Sequence, residues 1–195
     1  MRELVFLLEE ASAKAMLQSL LPRFLDARIQ QRLIAFEGKQ DLERQMVRRI
    51  KGYANPSARF IVLRDQDSTP DCRIVKNRLL GLCAKANRQA TYLVRVACHE
   101  LESFYLADLS AVEISMGLTG LARRQRSARF RSSDQIEKPS LVLARLTNGK
   151  YQKVSGSRQL GAHLDLDNQG SVSFKNLILG IRKLEQELLA LHENN

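Results

Sequence analysis

One short segment, residues 59–67, limits the possible folds more than any other part of the chain. Its four consecutive apolar residues, Phe60 to Leu63, predict a strand buried on both faces, as in a parallel sheet covered by helices. The strand runs directly into Asp65-Gln66-Asp67. Two carboxylates at a strand end can converge on one cation, and Mg²⁺ prefers such oxygen ligands. The alternative is a solvated acidic turn, because Asp is a common turn residue.

Hydrophobic patterns on both sides of this segment predict further strands that alternate with helices. The other strands are predicted at Leu4–Leu8, Arg32–Phe36 and Thr91–Ala97. The helices are predicted after Ser12, over Lys39–Tyr53, over Cys72–Lys85 and from near His99 to about Leu109. The alternation indicates an α/β fold, Rossmann-like, with a mostly parallel sheet flanked by helices. The apolar periodicity of Ser171–Leu191 predicts a C-terminal helix.

The second half of the chain is less regular than the first. A length of 195 residues fits one domain. We divide it into a core of about residues 1–110 and a C-terminal extension of about residues 111–195. Gly156 and Gly161 flank a short polar stretch in this extension. Within residues 117–150, five closely spaced arginines are expected to form a mobile arm that adds affinity for polyanions, with a mobile solvated loop as the alternative: Arg123, Arg124, Arg126, Arg129 and Arg131.

The charge balance and the cysteine count restrict the partners and the compartment. The chain has 31 Lys and Arg against 21 Asp and Glu, a net charge of +10, which suits a polyanion such as nucleic acid. A basic protein without such a partner is the alternative. No apolar run approaches the ~18 residues of a membrane helix, so no membrane association is expected. Three cysteines without a CxxC pair favour a reducing cytoplasm, and the N-terminal residues, which enter a strand-like pattern at once, predict no cleavable leader.

Carboxylates follow two of the predicted strands. Glu9 comes after the first strand, and Asp65 and Asp67 come at the end of the third. Ligands bind at the C-terminal edge of a doubly wound sheet, where the ends of parallel strands meet. If the first and third strands are neighbours, the three carboxylates surround one or two divalent cations.

The order of these motifs resembles a known domain. A strand, Glu9-x-x-Ser12, a helix, a strand, a helix and a strand ending in Asp65-x-Asp67 resemble the Toprim domain of topoisomerases, primases and overcoming-lysogenization-type nucleases. More closely, the chain is similar to a family of small Toprim-like bacterial proteins, a domain of unknown function often paired with an ATPase in defence-type gene pairs. The resemblance spans nearly the whole chain and rests on five blocks: residues 8–12 (LEEAS), 37–42 (EGKQDL), 63–67 (LRDQD), 98–108 (CHELESFYLAD) and 151–158 (YQKVSGSR).

The resemblance implies a Mg²⁺- or Mn²⁺-dependent phosphodiester-cleaving nuclease, or a nuclease-like effector, that works with a partner ATPase in phage defence. The implied catalytic residues are Glu9, Asp65, Asp67 and Lys153, and the implied metal ligands are Glu9, Asp65, Asp67 and Glu102. Many Toprim domains have Gly where this chain has Glu10, so either Glu9 or Glu10 takes the role of the site glutamate. Glu10 and Glu100 are further candidates as outer or alternative ligands.

Other residues complete the set of candidates. Six basic side chains are expected to contact nucleic acid, with a solvated surface role as the alternative for each: Lys39, Arg64, Lys76, Arg124, Arg126 and Arg158. Glu100 and Glu102 open a predicted helix, whose N-terminus accounts electrostatically for one of them. Asp108 is expected to cap the helix that follows.

A second hypothesis is a catalytically inactive Toprim-like subunit that binds nucleic acid or docks on the ATPase. DNA and RNA substrates, end and internal cleavage, and a homo-oligomer formed through the C-terminal helix are all compatible with the sequence.

Overall fold

The structure, a computed structural model, describes residues 1–86 and 91–191. Within this part of the chain, four parallel strands form one sheet in the order β2-β1-β3-β4. The strands are β1 (Glu3–Leu8), β2 (Gln30–Ala35), β3 (Arg59–Asp65) and β4 (Tyr92–Ala97). The predicted α/β class, the parallel sheet and the C-terminal helix are therefore confirmed.

Helices flank the sheet and make up the second half of the chain. The first three α-helices follow the first three strands and are α1 (Ala11–Leu20), α2 (Lys39–Lys51) and α3 (Cys72–Lys85). Five more follow β4 in the described part of the chain: α4 (Glu102–Leu106), α5 (Leu109–Met116), α6 (Pro139–Leu146), α7 (Lys153–Gly161) and α8 (Val172–Ala190). Short 3-10 helices occupy Leu21–Arg23, Ala122–Arg126 and Ser133–Gln135. Among the described residues, no helix combines the length and the hydropathy that a membrane-spanning helix needs.

The two central strands, β1 and β3, are buried on both faces, which explains their unbroken apolar runs. Alternate residues of a strand point to opposite faces. Leu4 and Phe6 accordingly belong to one core together with α1, α8 and the helices between them. Val5 and Leu7 belong to a second core that α2 and α3 cover. Burial of about 25 cal/mol per Å² of apolar surface makes these two cores the main source of stability.

The strand order creates a switch point between β1 and β3. The chain moves from β1 outward to β2 and then returns to place β3 on the other side of β1. The connections before and after this reversal leave the sheet on opposite faces, so a crevice opens at the carboxyl ends of β1 and β3. Ligands of open α/β sheets bind at such a point.

One helix prediction in the region after β4 is wrong, and one helix of the structure has no counterpart among the predicted helices. The helix predicted from near His99 to about Leu109 is two helices, α4 and α5. His99 has a left-handed φ of 59°, which delays the first helix, and Asp108 starts the second by accepting a hydrogen bond from the backbone N–H of Ala111 at 3.0 Å. The polar stretch between Gly156 and Gly161, for which no helix was predicted, belongs to α7.

The second half of the chain packs tightly on the first. α8 lies across β4, β1 and β3, and α7 packs on α1. A Cβ atom on Gly161 would collide with the carbonyl oxygen of Met16, so the two helices approach closely at this glycine. This contact fixes the end of α7 against the middle of α1, while the ion pair of Lys153 with Glu10 lies at the start of α7.

Candidate functional site

Glu9 and Asp65 lie side by side at the switch point. Leu8 and Leu63, which pair in the sheet, directly precede this edge. The backbone N–H of Glu9 donates to the carbonyl of Leu63 at 3.2 Å, and the backbone N–H of Asp65 donates to Glu9 Oε2 at 3.1 Å. The ends of the two central strands therefore hold both carboxylates in place.

Two further carboxylates come to the same place. Glu102, at the start of α4, is 2% exposed, and its Oε1 accepts a hydrogen bond from the Tyr151 hydroxyl at 2.9 Å. Glu10 accepts from the Ser12 hydroxyl at 2.6 Å and from Lys153 Nζ at 2.6 Å. We call Glu9, Glu10, Asp65 and Glu102 the acidic cluster.

Asp65 is the most strongly perturbed member of the acidic cluster. Burial raises its pKa well above the ordinary value, and the charges of Glu9, Glu102 and Glu10 raise it further. The backbone N–H of Leu101 acts in the opposite direction. Since four acidic groups crowd one small volume, a cation at this point would relieve an unfavourable interaction.

Glu9 and Glu102 show the same effect. Burial raises the pKa of Glu9, the backbone N–H of Asp65 lowers it, and the charge of Asp67 raises it again. Burial also raises the pKa of Glu102, against the hydrogen bond from Tyr151 and the charge of Lys153. Three carboxyl groups with raised pKa values at a sheet edge are typical of functional sites, where acids and bases need such values.

Lys153 is the cation that the fold brings to the acidic cluster. It is the first residue of α7, so the packing of α7 on α1 sets its position. Burial lowers the pKa of Lys153, but the carboxylates of Glu10, Glu102 and Asp65 outweigh burial and leave the pKa above its ordinary value. The ammonium group is therefore held in its charged form beside the carboxylates.

Tyr151 and Ser157 also belong to this site, although the sequence did not single them out. The Tyr151 hydroxyl lies 3.1 Å from the Ser157 hydroxyl and donates to Glu102. Burial raises the pKa of Tyr151, so it remains a proton donor. Both residues lie in the sequence block that contains Lys153, which could have indicated them. Without a prediction of α7, the sequence did not show that they belong to the site of Glu102.

Asp67 lies at the border of the acidic cluster and has its own cations. Its φ of 56° is left-handed, and its Oδ2 lies 3.0 Å from Lys39 Nζ and 3.5 Å from Arg64 Nη2. Lys39 and Asp67 also line a cavity of about 530 Å³ with His99 and Glu100. Asp67 therefore contributes charge to the site but is already paired.

Arg64 is a buried counter-ion rather than a surface residue. It is 5% exposed, and its Nη1 donates to Glu43 Oε1 at 2.8 Å. Its Nε lies 3.6 Å from Glu9 Oε2. Because the guanidinium is enclosed by carboxylates of this chain, it is not placed for the predicted contact with nucleic acid.

Glu100 turns away from the acidic cluster. Its Oε2 accepts a hydrogen bond from the backbone N–H of Ser140 at 2.7 Å, at the start of α6. A carboxylate at a helix N-terminus satisfies a free N–H and interacts favourably with the helix dipole. Of the two glutamates considered, the structure thus places Glu102 in the cluster and Glu100 at a helix cap.

The other basic candidates are spread over the surface. Arg158 is exposed on α7, and Lys76 lines a cavity of about 340 Å³ between α3 and β4. Arg126 borders a cavity with Asp165 and Asp167, and Arg124 borders a different one with Phe130. Lys39, by contrast, lies beside the acidic edge, where it pairs with Asp67.

The donor set fits a hydrated hard cation. Among residues 1–86 and 91–191, no three His, Cys, Asp or Glu side chains are arranged to hold a metal ion together. Mg²⁺ does not require such a cage, because it usually keeps several waters and takes one or two carboxylates plus phosphate oxygens. Glu9 and Asp65, which offer oxygen ligands only, fit Mg²⁺ or Mn²⁺ in this form, with Glu102 nearby.

Comparison with known proteins identifies a family for the chain but no activity. A family model described as Domain of unknown function (DUF4276) matches residues 8–182, a range that includes every residue of the acidic cluster. No curated protein matches the chain. No solved structure matches it.

Proposed function

Because the chain belongs to this family of unknown function, we propose its activity from the acidic cluster: it is a Mg²⁺- or Mn²⁺-dependent enzyme that cleaves phosphodiester bonds in nucleic acid. One observation carries the proposal. Burial raises the pKa values of Glu9, Asp65 and Glu102, and the charges of Glu9 and Glu102 raise that of Asp65 further. A basic chain of net charge +10 thus keeps a compact group of carboxylates where a parallel sheet binds its ligands.

Each residue of the site has a role in this proposal. A bound divalent ion supplies Lewis acidity and lowers the pKa of water. Asp65 and Glu9 hold the ion, since the sheet fixes both side chains at its edge. Asp67 adds negative charge while Lys39 and Arg64 orient it.

Glu102 is the proton carrier of the site. Its carboxyl is almost fully buried and its pKa is raised, which brings it closer to the working pH of a general acid or base. The Tyr151 hydroxyl fixes which oxygen is free, because it donates to Oε1. Proton transfer to or from the reacting oxygen therefore takes place at Oε2.

Lys153 binds the substrate phosphate. Without substrate its ammonium group pairs with Glu10 at 2.6 Å. A phosphodiester that enters the acidic cluster brings negative charge, and Lys153 offers it three N–H donors. Glu10 then serves as the resting partner of Lys153, a role in which Gly could not replace it.

Cleavage of labelled DNA and RNA oligonucleotides in Mg²⁺ and in Mn²⁺ tests the proposal. The variants Asp65→Asn, Glu9→Gln and Glu102→Gln should each abolish cleavage, whereas Glu100→Gln, which removes a charge at the start of α6, should cleave nearly as well as the wild type. Calorimetry should detect Mg²⁺ or Mn²⁺ binding at millimolar concentration. Full activity of Asp65→Asn, or cleavage that chelators leave unchanged, would falsify the proposal.

The second candidate is a catalytically inactive subunit. It is favoured by the pairing of Glu10 with Lys153 and of Asp67 with Lys39 and Arg64, which neutralises part of the charge. A wild-type protein that binds nucleic acid but neither binds Mn²⁺ nor cleaves would support it. Work with a separate ATPase in cytoplasmic phage defence is proposed from the resemblance alone, and co-purification of an ATPase with the tagged protein tests it.

A further inference from the structure

A second charged site lies on the segment around Phe130, away from the acidic cluster. A cavity of about 340 Å³ is lined by Arg124, Arg129 and Arg145, together with Phe130 and residues of α6 and its C-terminal turn. We call the three arginines and this cavity the arginine pocket. Two of them belong to the basic segment of the sequence, and Arg145 comes from α6.

Phe130 anchors the arginine pocket to the core. Its ring is 2% exposed. The guanidinium carbons of Arg124 and Arg129 lie 5.8 and 5.6 Å from the ring centroid. Cation–π contacts at this range are worth about 0.5–1 kcal/mol each at exposed sites. The two guanidinium groups are thus positioned by a buried ring, while their N–H donors stay exposed to solvent.

The charge of the arginine pocket is not neutralised by its surroundings. No acidic residue lines the cavity, and within the described part of the chain none of the three arginines forms an ion pair. The dipole of α6 accounts for Arg145, which lies in its last turn. It does not account for Arg124 and Arg129, which lie outside that helix.

The other three arginines of the same segment are in a different position. The charge of Arg123 acts on Glu113, Arg126 and Arg131 border a cavity that also contains Asp165 and Asp167, and Arg131 Nε donates to the carbonyl of Arg126 at 3.2 Å. The segment therefore has two sets of arginines of equal charge, one near carboxylates and one without them.

Helix α6 connects the arginine pocket to the acidic edge. Ser140, at its start, is bonded to Glu100, whose charge acts on Glu102 of the acidic cluster. Arg145 follows five residues later, a rise of about 7.5 Å along the helix. Successive phosphates of one strand in a duplex advance by about 3.4 Å along the axis, so the path along α6 covers about two phosphates before the strand continues from Ser140 to the acidic edge.

We propose that the arginine pocket binds backbone phosphates of the nucleic-acid strand whose cleaved bond lies in the acidic cluster. This inference rests on the proposed function for its substrate. Arginine suits the task because its planar fork donates two parallel hydrogen bonds to phosphate oxygens. The pocket contacts the backbone of the strand a few nucleotides from the cleaved bond, because its three exposed cations suit phosphate oxygens.

Binding of a labelled single-stranded oligonucleotide, measured by fluorescence anisotropy in EDTA, tests the inference without cleavage. The site variant is Arg124→Gln/Arg129→Gln/Arg145→Gln. The control variant is Arg123→Gln/Arg126→Gln/Arg131→Gln, which removes the same charge. Each phosphate contact on a single strand contributes a salt slope of about 0.7. Loss of three contacts should lower the slope by about 2, so that raising salt from about 50 to about 200 mM weakens the wild type roughly 20-fold more than the site variant.

The control variant should keep most of the wild-type slope. A third variant, Arg124→Lys/Arg129→Lys/Arg145→Lys, keeps the charge and should also keep the slope, and thermal melting shows that each variant folds. Equal loss of slope in the site and control variants would overturn the inference, as would an unchanged slope in the site variant. Binding that depends on the pocket in a wild-type protein that never cleaves in Mg²⁺ would support the pocket and refute only the proposed activity.

Discussion

Replacing Asp65 by Asn should make the metal-free protein more stable. Removing a core carboxylate is normally destabilising, but this one is buried among Glu9, Glu102 and Glu10, all of which raise its pKa. The amide oxygen of Asn still accepts the hydrogen bond that Leu101 donates. The substitution therefore removes repulsion and keeps the main backbone contact.

The size of the gain follows from the repulsion that is removed. Two like charges about 6 Å apart repel by roughly 2–3 kcal/mol at an effective dielectric constant near 20. Lys153 offsets part of this, so we expect the free energy of unfolding to rise by about 1–3 kcal/mol. A change of about 1 kcal/mol moves the Tm of a chain of this size by about 2–4 °C, which gives a rise of roughly 3–10 °C.

The pH dependence of this gain has a definite sign. A carboxyl whose pKa is raised by folding costs no stability below its unfolded pKa, and the cost grows as the pH rises through the folded pKa. The advantage of Asp65→Asn over the wild type should thus be absent at about pH 4 and increase as the pH rises toward and through the folded pKa of Asp65. Thermal melting in EDTA across this range measures it.

A matched control and a metal titration complete the experiment. Asp108 is also a buried carboxylate, but two backbone N–H groups, those of Ala111 and Asp165, donate to it at 3.0 and 2.8 Å. Asp108→Asn should lower stability by about 1 kcal/mol. Mg²⁺ at ten times its Kd should raise the wild-type Tm by about 3–5 °C and leave Asp65→Asn unchanged. A metal-free Asp65→Asn that melts below the wild type at pH 7 would refute the repulsion argument.

Three further changes test other parts of the site and fold. Tyr151→Phe removes the hydrogen bond that lowers the pKa of Glu102, so the acidic limb of the pH–rate profile should move to higher pH, and an unshifted limb would show that Glu102 does not titrate in the reaction. Lys153→Gln should lower kcat by at least about 100-fold while the protein still binds Mn²⁺, because an electrostatic contact to the reacting phosphate is typically worth that much; unchanged kcat would exclude it from catalysis. Gly161→Ala should lower the free energy of unfolding, measured with denaturant, by more than about 2 kcal/mol, because the added Cβ meets backbone. As a control, Gly81→Ala in α3, whose added Cβ meets nothing within 4 Å, should raise it by up to about 1 kcal/mol. Equal effects of the two changes would argue against the close packing of α7 on α1.

The sequence predicts the four strands and the carboxylates, Glu9 and Asp65, at the ends of two of them. Both follow from local signals, an apolar run for each buried strand and a carboxylate at its end. That β1 and β3 are neighbours was an assumption, and the strand order β2-β1-β3-β4 of the structure confirms it. The sheet could be predicted because burial on both faces leaves an unbroken pattern in the sequence.

Helix α7 could not be predicted from its own residues. It contains Gly156 and Gly161, and glycine disfavours helices by about 1 kcal/mol relative to alanine. The helix exists because α1 packs against it where only a glycine fits. Tertiary contact outweighs local propensity here. Because α7 could not be predicted, the positions of Tyr151 and Ser157 at the site could not be predicted either.

The pairing of charges was equally inaccessible to sequence. Arg64 looks like a surface residue after a strand, but it is buried beside Glu43, which comes from α2. Glu100 and Glu102 are two residues apart and point to different partners, Ser140 and Tyr151. Which partner each glutamate has depends on where α6 and α7 pack relative to the sheet, and no local sequence pattern indicates that position.

The position of α8 has a consequence for synthesis in the cell. This helix covers the face of the sheet that carries Leu4 and Phe6, yet it begins at Val172, long after β4 ends at Ala97. At about 5–20 residues per second, a ribosome needs roughly 4–15 s to make the intervening chain. During that time all four strands have been made while α8, which helps to cover one face, is still missing. For these seconds the nascent chain exposes apolar surface that a chaperone can bind. This face of the sheet is fully covered only after α8 has been made and has packed on it.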